Sequence, residues 1–238
     1  MKRTAAVIAA LLLASVATAD VPSRPANPRE LAVIQKVVNA VVATLDKFEN
    51  SDWHKTNEWS HDHFDVAIDP GPLNTSLGCD RDYEIRGGSA LWNAKIQPVV
   101  DQINALVAKR DLDQMMKVQS RIDGKLKFSV EVSPNIPSVG GSEADFAHDL
   151  GARGAAFSYC DKGDELECAV VLGDWAHHST AADGYRNYKF VHAADGVPAI
   201  ENLVIRFRSQ RREGFAAERA MQLIQTTNWA PISASLTK

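Results

Sequence analysis

Lys125-Leu126-Lys127-Phe128-Ser129-Val130-Glu131-Val132 decides how this chain folds. Leu126, Phe128, Val130 and Val132 alternate with Lys125, Lys127, Ser129 and Glu131. Successive side chains of a strand point to opposite faces, so the pattern predicts a strand with one buried and one solvated face. Everything before it reads with a different period.

Upstream, Asn27, Pro28 and Glu30 have the spacing of a helix N-terminus with a capping box. Leu31, Ile34, Val38, Val41, Leu45 and Phe48 follow at three- and four-residue steps, one apolar stripe on a long helix. From 50 to 88 that period fails, apart from a short alternating run, Phe64-Asp65-Val66-Ala67-Ile68. A second helical stripe runs through Trp92, Ile96, Val99, Ile103 and Leu106, with Pro98 set to start or kink the regular helix. Asp111 and Gln114 cap a third helix through Leu112, Met115, Met116 and Ile122, closed by Gly124.

Downstream, further strands are predicted at 155–160, 168–172, 185–191 and 202–208, with spacers rich in Gly, Asp and Ser. A last helix is predicted over 214–226, with Trp229 and Ile232 packing as its tail. Helices first and strands second, without a βαβ rhythm, predict an α+β fold. N-terminal amphipathic helices would be followed by an antiparallel sheet of about five strands and a C-terminal helix. The helical part spans 27–124 and the sheet part 125–238, in a single domain over 20–238.

Residues 1–19 read as a cleaved signal peptide. Lys2 and Arg3 precede an apolar run over 5–14, and Ala17-Thr18-Ala19 has the small-x-small form of a cleavage site. A periplasmic or secreted destination follows, with no segment left to span a membrane once the signal is removed. Of 238 residues, 45% are hydrophobic and 24% charged, which excludes wholesale disorder. The formal charge of −4 argues against nucleic acid as a partner, because non-specific binding needs excess Lys and Arg.

An oxidising compartment gives the three cysteines meaning. Cys160 and Cys168 flank a polar turn between two strand-like runs, so a hairpin would place them opposite one another as a disulfide, leaving Cys79 outside the pair.

Two side-chain groups could carry function. His61, His63 and Asp65 alternate, so on a strand they would converge on a divalent metal such as Zn. The H-x-H-x-D run resembles part of the metallo-β-lactamase signature over five residues, with Val66 standing where that family has a further histidine. That resemblance implies a metal-dependent hydrolase. Arg206, Arg208, Arg211 and Arg212 form the dense basic cluster, a patch for an anion or an acidic partner. His177-His178 lacks any G-x-S-x-G elbow, and H-E-x-x-H, C-x-x-C and phosphate- or dinucleotide-cradling glycine motifs are missing. The leading expectation is therefore a non-catalytic exported domain that binds a small molecule or a protein, without a cofactor. A metal-dependent hydrolase at His61, His63 and Asp65 and an envelope scaffold built on the long N-terminal helix are the alternatives.

Overall fold

The computed structural model describes residues 22–58, 64–68, 73–142, 150–161, 163–175, 185–190 and 198–237. The signal expected at 1–19 lies outside them. The first helix, α1 (Pro28–Leu45), begins as its sequence predicts: the Asn27 side chain accepts from the backbone N–H groups of Arg29 and Glu30, and Glu30 accepts from the Asn27 N–H. It buries Ile34, Val37, Val41 and Leu45, and a 3-10 turn carries Phe48 into the same core. Leu31 is exposed, and Val38 is half-buried beside Val37.

Arg24 fastens the entry to this helix. It lies in β1 (Ser23–Pro25), which pairs antiparallel with β3 (Asp65–Ala67). Its guanidinium donates to both Glu30 carboxylate oxygens, at 2.7 and 2.8 Å, while Asn27 N–H donates to Oε2 at 2.7 Å. Glu30 is only 5% exposed. The Arg24 hydrogen bond, helped by the Asn27 N–H and the Arg24 charge, outweighs burial and holds the carboxyl below its ordinary pKa. A depressed carboxyl stabilises the fold above its unfolded pKa, and the contribution is lost as pH falls through the folded value. Glu30→Gln is expected to lower stability by about 1 kcal/mol at neutral pH. Urea titrations of the two proteins should converge as pH falls through the acid range; a gap that persists there would contradict the ion pair as its source.

Six strands make the main sheet, in the order β2-β4-β5-β10-β8-β7, every neighbouring pair antiparallel. They are β2 (Trp53–Glu58), β4 (Arg81–Ile85), β5 (Lys127–Pro134), β7 (Phe157–Cys160), β8 (Leu166–Gly173) and β10 (Asn202–Ser209). The α+β class and the antiparallel sheet agree with the sequence, but the membership of the sheet differs in two places. β2 and β4 come from the part read as helical, because only Trp53, Tyr83 and Ile85 among their side chains are apolar and buried. The strand expected at 185–191 is β9 (Tyr185–Lys189), which leaves the main sheet to pair with β6 (Ser138–Ser142).

One face of the sheet is the principal core. Phe128, Val130 and Val132 of β5, Leu203, Ile205 and Phe207 of β10, and Cys168, Val170 and Leu172 of β8 pack there. α1, α4 (Phe215–Thr226) and α5 (Ala230–Ser235) contribute buried residues to the same core. The second helical segment reaches the core of the sheet near its start, where Ile96 is buried and Trp92 and Val100 pack half-buried against it. A π-helical turn, Trp92–Ile96, precedes α2 (Gln97–Ala108), and α3 (Leu112–Gln119) packs back on α2. Pro98 lacks an N–H and its ring crowds the preceding turn, which accounts for the widened geometry just before it. Only Val118 of α3 is buried, and Val107, Leu112 and Met116 are exposed. Among the described residues no helix is long and apolar enough to cross a membrane.

Cys160 and Cys168 lie directly opposite on the β7–β8 hairpin and form the expected disulfide. Cys79 keeps a buried thiol, donating to the Leu77 carbonyl at 3.3 Å. The bridge spans a sequence separation of 8. The chain-entropy estimate for so short a loop is about 2–3 kcal/mol. Cys160→Ala/Cys168→Ala is expected to fold with its urea midpoint lowered accordingly, and an unchanged midpoint would overturn that estimate.

Candidate functional site: the open face of the sheet

The second face of the sheet divides into two halves. At one end of β10, Val204 joins Ala169, Val171, Tyr159 and Trp175 beneath the β6–β9 ribbon, which contributes Val139 and Tyr188. At the other end the same face carries Arg206 and Arg208, flanked by Ser129, Glu131 and Ser133 of β5 and Glu167 of β8. β4 adds Asp82 and Glu84. The alternation of each strand explains this: the apolar set faces α1 and α4, so the intervening polar residues emerge together.

Each cation on this face lies beside an acceptor. Arg208 donates to Glu131 at 2.5 Å and to Glu167 at 3.1 Å, one carboxylate on each neighbouring strand. Burial lowers its pKa, but the Glu167 hydrogen bond and the charges of Glu131 and Glu167 prevail and hold it above its ordinary value. Lys127 pairs with Asp82 at 2.9 Å. Arg206, half-buried, donates to Ser133 Oγ at 3.4 Å. Exposed cross-strand pairs of this kind fix register and blunt sheet association more than they add stability.

Arg211 and Arg212 leave the sheet. Arg211 approaches Asp123 at 3.9 Å, with both side chains more than half exposed. Arg212 Nη1 donates to the carbonyls of Asp161 and Gly163, and its backbone N–H donates to the Asp164 carbonyl. Arg212 thus clamps the turn between β7 and β8, just beyond the disulfide. That turn delivers Glu165 to the open face.

A groove of about 560 Å³ lies beside Arg208. The registers explain it. The β4–β5 ladder runs to Glu84–Lys127 and the β8–β10 ladder to Leu166–Ser209, but the β5–β10 ladder between them stops at Ser129–Arg208. Beyond that pair β5 and β10 carry no further ladder partner, and residues of the turn after α3 line the same groove. Asp82, Lys127, Ser129, Glu165, Arg208 and Ser209 line it, together with Gln119, Asp123 and Gln210. Its apolar wall comes from Ile122 and Leu126, both half-buried. Gly124 is at φ +69°, and an added Cβ would lie 3.1 Å from side-chain carbons of both Gln210 and Arg211. The bare backbone there lets the turn approach the end of β10 closely.

Of the residues singled out in the sequence, Arg206 and Arg208 share the open face and Arg208 lines the groove. The structure does not bring Arg211 and Arg212 onto that face. His61 and His63 lie outside the described residues, as do His177 and His178, while Asp65 is exposed in β3 opposite Pro25. Among the described residues no three of His, Cys, Asp and Glu gather as a metal-binding group. Asp82, Asp123, Lys127, Glu165 and Ser209 were not foreseen as site residues. The one signal for them was the polar phase of the alternating strands, which gives a face but not a gap in it. Comparison with protein-family models, with curated proteins and with solved structures gives no match to this chain.

Proposed function

We propose that this protein is an exported binding module that takes a small molecule in the groove between β5 and β10, without catalysing a reaction. The observation that carries the reading is the early end of the β5–β10 ladder within an otherwise continuous sheet. A gap framed by two paired strands on each side is a rigid place for a ligand, and about 560 Å³ is the size of a small-molecule site. Its lining offers both charged groups and an apolar wall, the mixture such sites use to orient a ligand. Among the described residues that line it, the serines have no histidine or cysteine beside them. Export rests on the features of residues 1–19 and is compatible with the disulfide.

The test is a thermal-shift screen of diverse small charged compounds against the full chain and against Ser129→Trp. Ser129 sits on the solvent side of β5, so the indole would fill the groove without entering the core. Compounds that stabilise the wild-type protein should lose their effect in the variant. Hits that survive Ser129→Trp, or no hit at all, would refute the groove as a binding site.

A further inference from the structure

We infer that this protein forms a weak two-fold dimer in which α3 packs antiparallel against α3 of a second copy. The inference is independent of the groove and begins with what the α2–α3 hairpin leaves uncovered. No residue of α2 is fully buried, and α3 buries only Val118. Val107, Leu112 and Met116 are 50%, 61% and 57% exposed, three of the five large apolar side chains left exposed among the described residues. Residues four apart stack along a helix, so Leu112 and Met116 share one face of α3. Met115 and Val118, half-buried and buried, are the better-covered side of this helix, which packs on α2. Val107 stands at the adjoining end of α2, just before the turn into α3. Apolar side chains exposed together in this way mark an interaction surface.

The charges around that face say what covers it. Residues 97–123 carry Asp101, Asp111, Asp113 and Asp123 against Lys109, Arg110, Lys117 and Arg121, all of them exposed. The two signs balance, which favours neither an anionic membrane nor a partner charged with one sign. Along α3 the arrangement is self-complementary instead. Asp113 and Lys117 lie one turn apart on the same flank of the face that carries Leu112 and Met116. Among the described residues neither of them enters an ion pair. A two-fold axis makes every contact occur twice, residue i on j and j on i. Antiparallel copies of α3 bring the same flank of each together, so Asp113 meets Lys117 of the second copy and Lys117 meets its Asp113. Leu112 and Met116 fill the space between the helices, with Val107 at the margin. α3 is about 12 Å long, which places the contact at the small end of specific interfaces. The dissociation constant is accordingly expected at about 10–100 µM.

Sedimentation velocity of the full chain over a concentration series is expected to show a monomer–dimer equilibrium in that range. Leu112→Ser/Met116→Ser changes two exposed side chains, so the fold should survive, as far-UV circular dichroism checks. Dimerisation should weaken in this variant by about tenfold or more, each lost side chain counting twice across the axis. Asp113→Lys and Lys117→Asp should each weaken it by about tenfold, because like charges then face one another. An equimolar mixture of those two single variants should regain the dimer, since every lysine then faces an acid. A substitution that merely loosened α3 would gain nothing from mixing, so recovery reports this pairing alone. A chain that stays monomeric throughout the series would overturn the inference. So would a dimer indifferent to the Leu112 and Met116 changes, or a mixture that stays monomeric. A monomer that floats with phosphatidylglycerol vesicles would assign the hairpin to a membrane surface and overturn it as well.

Discussion

Asn135→Leu is expected to lower the unfolding free energy by about 3–5 kcal/mol, although no apolar contact is lost. Asn135 follows β5 with φ at +50°, a left-handed conformation that asparagine tolerates and leucine resists. Its side chain, 8% exposed, donates to the carbonyls of Leu73 at 2.8 Å and Ala199 at 2.9 Å, and accepts from the Glu201 N–H at 2.9 Å. Its own N–H donates to the Asn202 carbonyl at 3.0 Å, while the Asn202 side chain bonds both backbone groups of Ile136. One amide thus ties together the loop before β4, the exit from β5 and the entry to β10. Leucine would remove the donor to the Leu73 carbonyl, one of the two donors to the Ala199 carbonyl (the Leu73 N–H stays at 3.2 Å) and the acceptor of the Glu201 N–H. Asn135→Asp sharpens the test, because it is nearly isosteric yet turns oxygen toward two carbonyl oxygens. Asn135→Gly keeps the backbone conformation and should recover part of the loss. Chemical denaturation of the three variants checks the order; aspartate behaving like wild type would refute the donor role.

The parts of the fold that were legible have a clean period. The octet around Phe128 became β5 almost as read, and the alternation of Leu203, Ile205 and Phe207 with Arg206 and Arg208 became β10. The Asn27 capping box gave the start of α1 to the residue. What was missed is polar or irregular for a physical reason. β4 places Arg81 on the inner side with Tyr83 and Ile85, where the guanidinium donates to the carbonyls of Gly78 and Asp80. A buried arginine breaks an apolar alternation that the backbone nevertheless keeps. β9 shows the converse: its residues look like a sheet strand, but their partner, Ser138–Ser142, has only Val139 as a large apolar residue and so passed as loop.

The site was legible only in part, because it depends on where a ladder stops. Period places Lys127, Ser129, Glu131, Arg206 and Arg208 on one face, and the sequence reads that far. It does not show that β5 and β10 carry no ladder partner beyond Ser129 and Arg208, nor that the turn at Gly124 lies against Gln210. Nor does a cluster of arginines reveal what holds them. Glu131 and Glu167 lie far apart in the chain and meet Arg208 only because β5 and β8 flank β10. Sequence proximity suggested a basic patch; strand order assigns acids to it.

The second large effect is expected at Trp229, which holds the two ends of the chain in one core. It is fully buried, with its ring edge-on to Phe48 at 6.2 Å and to Phe207 at 6.1 Å. Phe48 ends the first helical segment and Phe207 lies in the central strand, so the indole joins the N-terminal helix, the sheet and the C-terminal helices. Its Nε1 donates to the Ile224 carbonyl at 3.1 Å, and its backbone N–H to the Arg153 carbonyl at 2.8 Å. Trp229→Ala would open a cavity among rings that cannot collapse together, because each is held by its own helix or strand. Losses of about 3–5 kcal/mol are typical of such truncations. Trp229→Phe keeps most of the volume and the aromatic edges but drops the Nε1 bond, so it should cost about 1–2 kcal/mol. Guanidinium unfolding, followed by far-UV circular dichroism because the variants remove a fluorophore, separates the two. If both variants lose the same amount, the hydrogen bond and not the packing dominates at this position. If alanine costs no more than about 1 kcal/mol, the aromatic cluster does not couple the two ends of the chain.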